Sequence, residues 1–421
     1  MQLNSTPGPA PAASPVPTEL PDEERRHTDW RQVTFGLALS CFVAFQQFKL
    51  PPLLPNLLAE FHYSRPMAAG FMSVYALVGV LASVPMGGWL RRYGYRKGLL
   101  GGVLATGLGL LLALALARFA GAMLLARGLE GITYAAFAIA GPAIATQAAR
   151  IRDLPIVTGL LSGWIPIGQI AAGLLALAVP DWQTIWLLAL GLTILLAIPS
   201  WRHRDHDHRP QPAVTSPPAS GKDGSPAASR GLQSANLLSA IVFLLWSTQY
   251  FAFMTWLTQF LIERHHLDPR NAVVVYLIPV VVLLCFSLMT GWALGRGLPL
   301  VRSLLVCLIL QALVWAAMPV LDGTPGLIAL VVYGICAGIT PTCLFHLPHV
   351  IAARRDKTRG RAGPEAFATL MTGRNIGVFF GPILLAGMMS LTGSWNLAAY
   401  VIAALTVMSA VVTWRLGHSL R

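Results

Sequence analysis

The chain has 421 residues, of which 55% are hydrophobic and 11% charged, with a mean hydropathy of +0.63. So few charges over this length exclude an ordinary water-soluble enzyme or binding module and imply a chain built for lipid. The net charge of +13 would suit nucleic acid, but no basic run is interleaved with aromatic residues on a soluble module.

In chain order, residues 1–30 form a Pro/Ala/Ser-rich tail carrying Asp22, Glu23 and Glu24. The tail is expected to be disordered and retained, because the apolar run after it is too long for a cleaved signal peptide and lacks a small-residue cleavage site. Apolar runs then recur at the length a hydrocarbon core of about 30 Å demands of a helix. They predict twelve membrane spans, at 33–58, 67–90, 98–117, 121–147, 155–179, 183–200, 236–262, 270–294, 301–320, 326–351, 365–391 and 395–415. Residues 201–234, rich in Pro, Ser, Gly, His and Arg, bury too little apolar surface to fold and read as a flexible linker. The expected fold is therefore an all-α membrane protein of two six-helix bundles, 31–200 and 235–418.

The basic residues orient these spans. Of the 30 Lys and Arg, 23 fall on the side of the termini and linker. Arg65, Arg118, Arg264 and Arg270 fall on the other side, and Lys49, Arg127 and Arg374 lie inside spans. This asymmetry is the positive-inside signature, so both termini are expected in the cytoplasm and the protein in a cell (inner) membrane. The five cysteines all lie within spans without metal-ligand spacing, and His203 to His208 belongs to a linker without fixed geometry. Neither a metal nor a cofactor is expected.

An offset of 203 residues superimposes the halves without a gap through four helices. Gln46 meets Gln249, Phe48 meets Phe251, Glu60 meets Glu263, Gly94 meets Gly297, and Gly131-Ile132 meets Gly334-Ile335. Two parallel repeats place a cavity at their interface near the membrane midplane, able to open to either side in turn.

The loop after the second span, Gly87-Gly88-Trp89-Leu90-Arg91-Arg92-Tyr93-Gly94-Tyr95-Arg96-Lys97, resembles the signature loop of the major facilitator superfamily. Arg127-Gly128-Leu129-Glu130-Gly131 and Gly373-Arg374-Asn375-Ile376-Gly377 are similar to that superfamily's fourth and eleventh helices. The resemblance implies secondary transport by alternating access. It also implies a conformational latch around Gly87, Arg91, Gly94 and Arg96, with one departure: Arg91 stands where the family usually has an acid. An arginine is repelled by a positive helix N-terminus, so an inverted latch to Glu365, by Arg91 or Arg92, is one expectation and its absence the other.

The first span carries Phe45-Gln46-Gln47-Phe48-Lys49-Leu50-Pro51-Pro52. Lys49 lies about 13 Å below the end of its helix, where a charge costs about 2.5–3.5 kcal/mol. Gln46, Lys49, Leu53 and Asn56 share one helical stripe of about 80°. Pro51 and Pro52 free the carbonyls of Gln47 and Phe48. The stripe reads as a cavity wall, matched in the second half by Gln249, Trp256 and Gln259, with Ala252 in place of the lysine. Pairing of Lys49 with a buried acid is the weaker reading, because Arg127 already sits three residues from Glu130. Three intramembrane cations against one carboxylate then imply an anionic cargo held by Lys49, with Arg374 either clamping it from the opposite side or purely structural. Arg127 and Glu130 are either the coupling pair, with Glu130 as proton carrier, or a static brace. Trp164, Pro166 and Gln169 are expected, with Trp256, to line or seal the cavity.

The sequence thus predicts a monomeric, proton-coupled transporter of a small anion, with the bilayer as its other partner and no nucleic acid or enzymatic activity. The alternative within transport is proton-driven efflux of drugs or metabolites. A transporter-like receptor without turnover is the reading from another class.

Overall fold

The computed structural model of the protein describes residues 27–150, 153–179, 181–203, 226–355 and 364–419. The first half comprises α1 (Trp30–Phe48), α2 (Leu50–Phe61), α3 (Arg65–Tyr93), α4 (Tyr95–Leu116), α5 (Ala120–Gln147), α6 (Leu154–Ser162), α7 (Trp164–Ala178) and α8 (Trp182–Arg202). The second comprises α9 (Pro226–His265), α10 (Pro269–Gly295), α11 (Leu300–Ala317), α12 (Gly323–Arg355), α13 (Pro364–Thr392) and α14 (Trp395–Ser419). Among the described residues there is no strand, and 11 helical segments are long and apolar enough to cross a membrane, α1 and α2 counting as one.

Two of the expected spans are broken, both by proline. Pro51 and Pro52 interrupt the first, so that Lys49 ends α1 and opens α2. Pro166 withholds a donor from the carbonyl of Ser162, and the fifth span divides at Gly163 into α6 and the 15-residue α7. α9 begins at Pro226, so residues 226–234 of the segment read as linker are helical. Residues 204–225 and 1–26 lie outside the described residues.

The repeat is carried by geometry as well as by residue type. Gly94 and Gly297, 203 apart, follow α3 and α10 with φ of +87° and +89°, a left-handed conformation that glycine adopts without strain. Within the second half, α13 packs on α9 through Gly373, Gly377 and Gly381, where any Cβ would overlap the carbonyls of Ala240, Leu244 and Thr248. The halves meet through α3 on α13, α7 on α10, and α2 on α9. The first helix starts, and the last ends, on the face that also carries the connection between halves. We call this the linker face, and the opposite one the far face.

Candidate functional site

The first half contains a buried charge node at the α1–α2 break. The carbonyl of Gln47, orphaned by Pro51, accepts Nη2 of Arg127 at 3.4 Å, and the neighbouring Gln46 carbonyl accepts Nη1 at 2.9 Å. Nε of Arg127 donates to the Phe71 carbonyl at 3.1 Å, and the guanidinium lies 4.6 Å from the centre of the Tyr75 ring. Arg127 also pairs with one oxygen of Glu130. The other oxygen accepts from Lys49 Nζ at 3.0 Å, while Gln46 Oε1 accepts from the same ammonium at 2.7 Å and Trp186 presents its ring at 4.3 Å. Lys49, Arg127 and Glu130 are all fully buried.

This arrangement corrects the sequence reading of Lys49. One carboxylate serves two cations, an oxygen for each, so Lys49 is locked in the first-half core instead of facing a cargo. The stripe goes with it, since Gln46 and Leu53 are buried too and Asn56 is only partly exposed. The second-half amides are likewise structural. Gln249 Oε1 accepts from Trp315 Nε1 and from the Tyr333 hydroxyl, both at 2.8 Å. Trp256 Nε1 donates to the Pro382 carbonyl at 3.1 Å, and Gln259 Nε2 to Glu263 at 2.5 Å.

A separate cavity of about 620 Å³ lies between the halves. It is lined by the linker-face parts of α6, α10, α12 and α13 and floored by residues of α7 and α9. Its walls are aromatic, from Tyr134, Trp164, Trp246, Tyr250, Phe251 and Trp292, and Arg374 is the charged residue among them. Trp246 and Tyr250 stack at 5.1 Å and 14°; their spacing of four puts both rings on one face of α9, a signal the sequence offered and the reading passed over. Of the seven residues expected to bind substrate, Arg374 lines this cavity and the other six do not. Its guanidinium takes Asn375 Oδ1 at 3.0 Å and lies 5.8 Å from the Phe251 ring centre. Among the described residues it forms no ion pair with a carboxylate.

Toward the far face the halves are sealed. Phe48 and Phe251, partners in the repeat, stack across the interface at 5.9 Å. Gln169 of α7 donates to the Tyr276 hydroxyl at 2.7 Å and accepts from the Tyr250 hydroxyl at 3.2 Å. Ser73 donates to the Phe379 carbonyl at 2.7 Å. Thr258 donates at 2.6 Å to the carbonyl of Pro51, a group that Pro55 leaves without a helical donor. Trp164 and Pro166 therefore line the cavity, and Gln169 seals it. The cavity thus lies on the linker-face side of these contacts.

A family model described as the Major Facilitator Superfamily matches residues 36–363. The chain belongs to the major facilitator superfamily. Solved structures agree at the level of the fold. Two crystal structures of the nucleoside transporter NupG, one of them of a mutant, superpose with TM-scores of 0.72 and 0.70 at 14% and 15% identity. They cover 91% and 92% of this chain and 99% and 98% of theirs. No curated protein matches the sequence significantly. In this superfamily member the signature loop turns at Gly94, with Arg92 lying 5.2 Å and Lys97 5.5 Å from the centre of the Tyr93 ring. The side chains of Arg91 and Glu365, the expected inverted latch, lie outside the described residues. A multi-pass membrane transporter of a small solute, rather than an enzyme, is what family and fold indicate together.

Proposed function

We propose that the protein is a proton-coupled, alternating-access transporter of a small organic solute with a planar apolar body and an anionic or acceptor-rich end. The observation that supports this most is Arg374, a cavity-lining cation whose neighbours among the described residues include no carboxylate. A charge at that depth is costly until something neutralises it, and a guanidinium presents a bidentate fork to a carboxylate or similar oxyanion. Trp164, Trp246, Tyr250 and Phe251 offer rings on which a planar body stacks. The anion reading thus moves from Lys49 to Arg374.

Proton coupling falls to Glu130, the buried carboxylate among the described residues. Arg127 is held by three backbone carbonyls, whereas Lys49 has Gln46 and the Trp186 ring besides the acid, so protonation of Glu130 releases Lys49 first. The charge asymmetry of the sequence puts the linker face and both termini in the cytoplasm of a cell (inner) membrane. We take the working unit to be the monomer, because the cavity is formed within one chain.

A thermal-shift screen tests the cargo, since a ligand that binds only the folded state stabilises it. Aromatic carboxylates should stabilise the wild type and lose most of that effect in Arg374→Gln. Nucleosides that stabilise both proteins equally would favour a neutral planar cargo, the class carried by the NupG neighbours. Stabilisation by cationic dyes alone would revive drug efflux, which the lack of an acid among the described residues that line the cavity disfavours.

A further inference from the structure

The outermost contact of the far-face seal is ionic. Arg65, the first residue of α3, places Nη2 2.9 and 2.8 Å from the two oxygens of Glu263, near the end of α9 in the other half. The two side chains are 32% and 28% exposed. Glu263 is meanwhile fixed from within its own half: Trp395 Nε1, at the first residue of α14, donates at 2.9 Å, and Gln259 Nε2, one turn earlier on α9, at 2.5 Å.

The first half has its own copy of this brace. Glu60, 203 residues before Glu263, accepts from Nε1 of Trp182, the first residue of α8, at 2.7 Å. The repeat accounts for the brace and not for the ion pair. The counterpart of Arg65 is Asp268, which caps α10 through the amide of Arg270 at 2.9 Å. A carboxylate preset by one half and read by a cation of the other is how a receptor and a bolt are arranged. When the halves separate, Glu263 keeps its indole and amide donors while Arg65 passes into water, so opening leaves no bare buried charge.

We propose that Arg65 and Glu263 form the bolt that holds the far face shut while the cavity is open to the linker face, and that Trp395 and Gln259 preset its receptor. A partly exposed pair of this kind shifts the closed-to-open ratio about fivefold, equivalent to about 1 kcal/mol. The bolt is strong enough to bias the cycle and weak enough to open.

Its test needs no cargo, so it stands apart from the identity of the solute. Thr258→Cys puts a reporter thiol at a fully buried position of the seal. Reaction with a charged maleimide is followed in the full-length protein in lipid nanodiscs, with the five native cysteines accounted for by the parent without the reporter. Adding Arg65→Gln should raise the rate about fivefold, Arg65→Lys, which keeps the pair, should stay within about twofold of the reporter protein, and Trp395→Phe, which frees the preset carboxylate, should give a smaller rise than Arg65→Gln. High salt should speed the reporter protein and leave the Arg65→Gln background unchanged. An unchanged rate in Arg65→Gln with an unaltered thermal midpoint overturns the proposal, as does a rise in Arg65→Lys equal to that in Arg65→Gln, and an unchanged rate in Trp395→Phe overturns the presetting by Trp395. Should Arg65→Gln fail to fold, the salt dependence decides alone: a rate in the reporter protein indifferent to salt sinks the bolt.

Discussion

Removing Lys49 should cost this protein little, and removing Glu130 should cost it a great deal. The node holds two cations and one carboxylate, all fully buried. Glu130→Gln leaves both cations without an acid, and breaking a buried pair in this way costs about 3–5 kcal/mol. Lys49→Met instead leaves Arg127 and Glu130 as a matched pair. What it forfeits is the hydrogen bond to Gln46 at 2.7 Å and the contact with Glu130 at 3.0 Å, about 1.5–3 kcal/mol for a charged donor. Relief from the desolvation of a surplus charge opposes that loss, and the net change is expected within about 1 kcal/mol. Lys49→Met/Glu130→Gln, with a single surplus cation, should fall between the two singles. Unfolding by SDS in mixed micelles, followed by tryptophan fluorescence, gives the ranking. If Lys49→Met proves as damaging as Glu130→Gln, Glu130 is not balanced by Arg127 alone and the charge count behind the node is wrong.

Other consequences are more local. Gly377→Val drives a side chain into the α9 backbone at the Leu244 carbonyl and should cost about 1–3 kcal/mol in the same assay, whereas Gly387→Val, with open space at its Cβ, should be nearly neutral. Asp181 caps α8, accepting from the Thr184 amide at 2.8 Å and its hydroxyl at 2.6 Å, so Asp181→Ala should cost about 1 kcal/mol. These bonds, the Thr184 hydroxyl first among them, hold the Asp181 carboxyl below its usual value. Its contribution is therefore present at neutral pH and lost as pH falls through the lowered value, and wild type and Asp181→Ala should converge in stability below about pH 4.

The span pattern, the two halves and the register of 203 were legible because they rest on apolar length and on backbone requirements that local residues announce. Gly94 and Gly297 adopt the same left-handed φ, and Phe48 and Phe251 even meet across the interface. What misled was reading charge along one helix at a time. Arg127 and Glu130, three apart, look saturated along their own helix, though a carboxylate has two oxygens and the second reaches across to Lys49 at the end of α1. The carbonyl that Pro51 orphans needs a donor, and Arg127 is the buried side chain that supplies it. The cavity aromatics were missed for the opposite reason. Trp246 and Tyr250 carry no charge to draw notice, and in a membrane span a ring facing lipid reads the same as one facing a solute.

The same register allows one half to serve as the control for the other. Gln46 and Gln249 correspond, and each uses its Oε1 while its Nε2 has no partner among the described residues. Around Gln46 stand Lys49, Arg127 and Glu130; around Gln249 the corresponding positions hold Ala252, Leu330 and Tyr333, a neutral network. The difference follows from two prolines. Pro51 and Pro52, which correspond to Met254 and Thr255, strip donors from the first helix. The Gln47 carbonyl orphaned by Pro51 calls for Arg127, the arginine calls for an acid, and the acid's second oxygen admits Lys49. Lys49→Ala/Arg127→Leu/Glu130→Tyr, which gives the first half the second half's node, should on its own lose about 1–3 kcal/mol, because the Gln47 carbonyl, which Pro51 leaves without a helical donor, goes unpaired. Adding Pro51→Met and Pro52→Thr returns donors to the helix and should recover about 1–3 kcal/mol in the SDS assay, with the Thr258 bond to the carbonyl at position 51 still freed by Pro55. Were the proline reversals to recover nothing, the kink would not be what requires the charges, and the node would have to be explained by coupling alone.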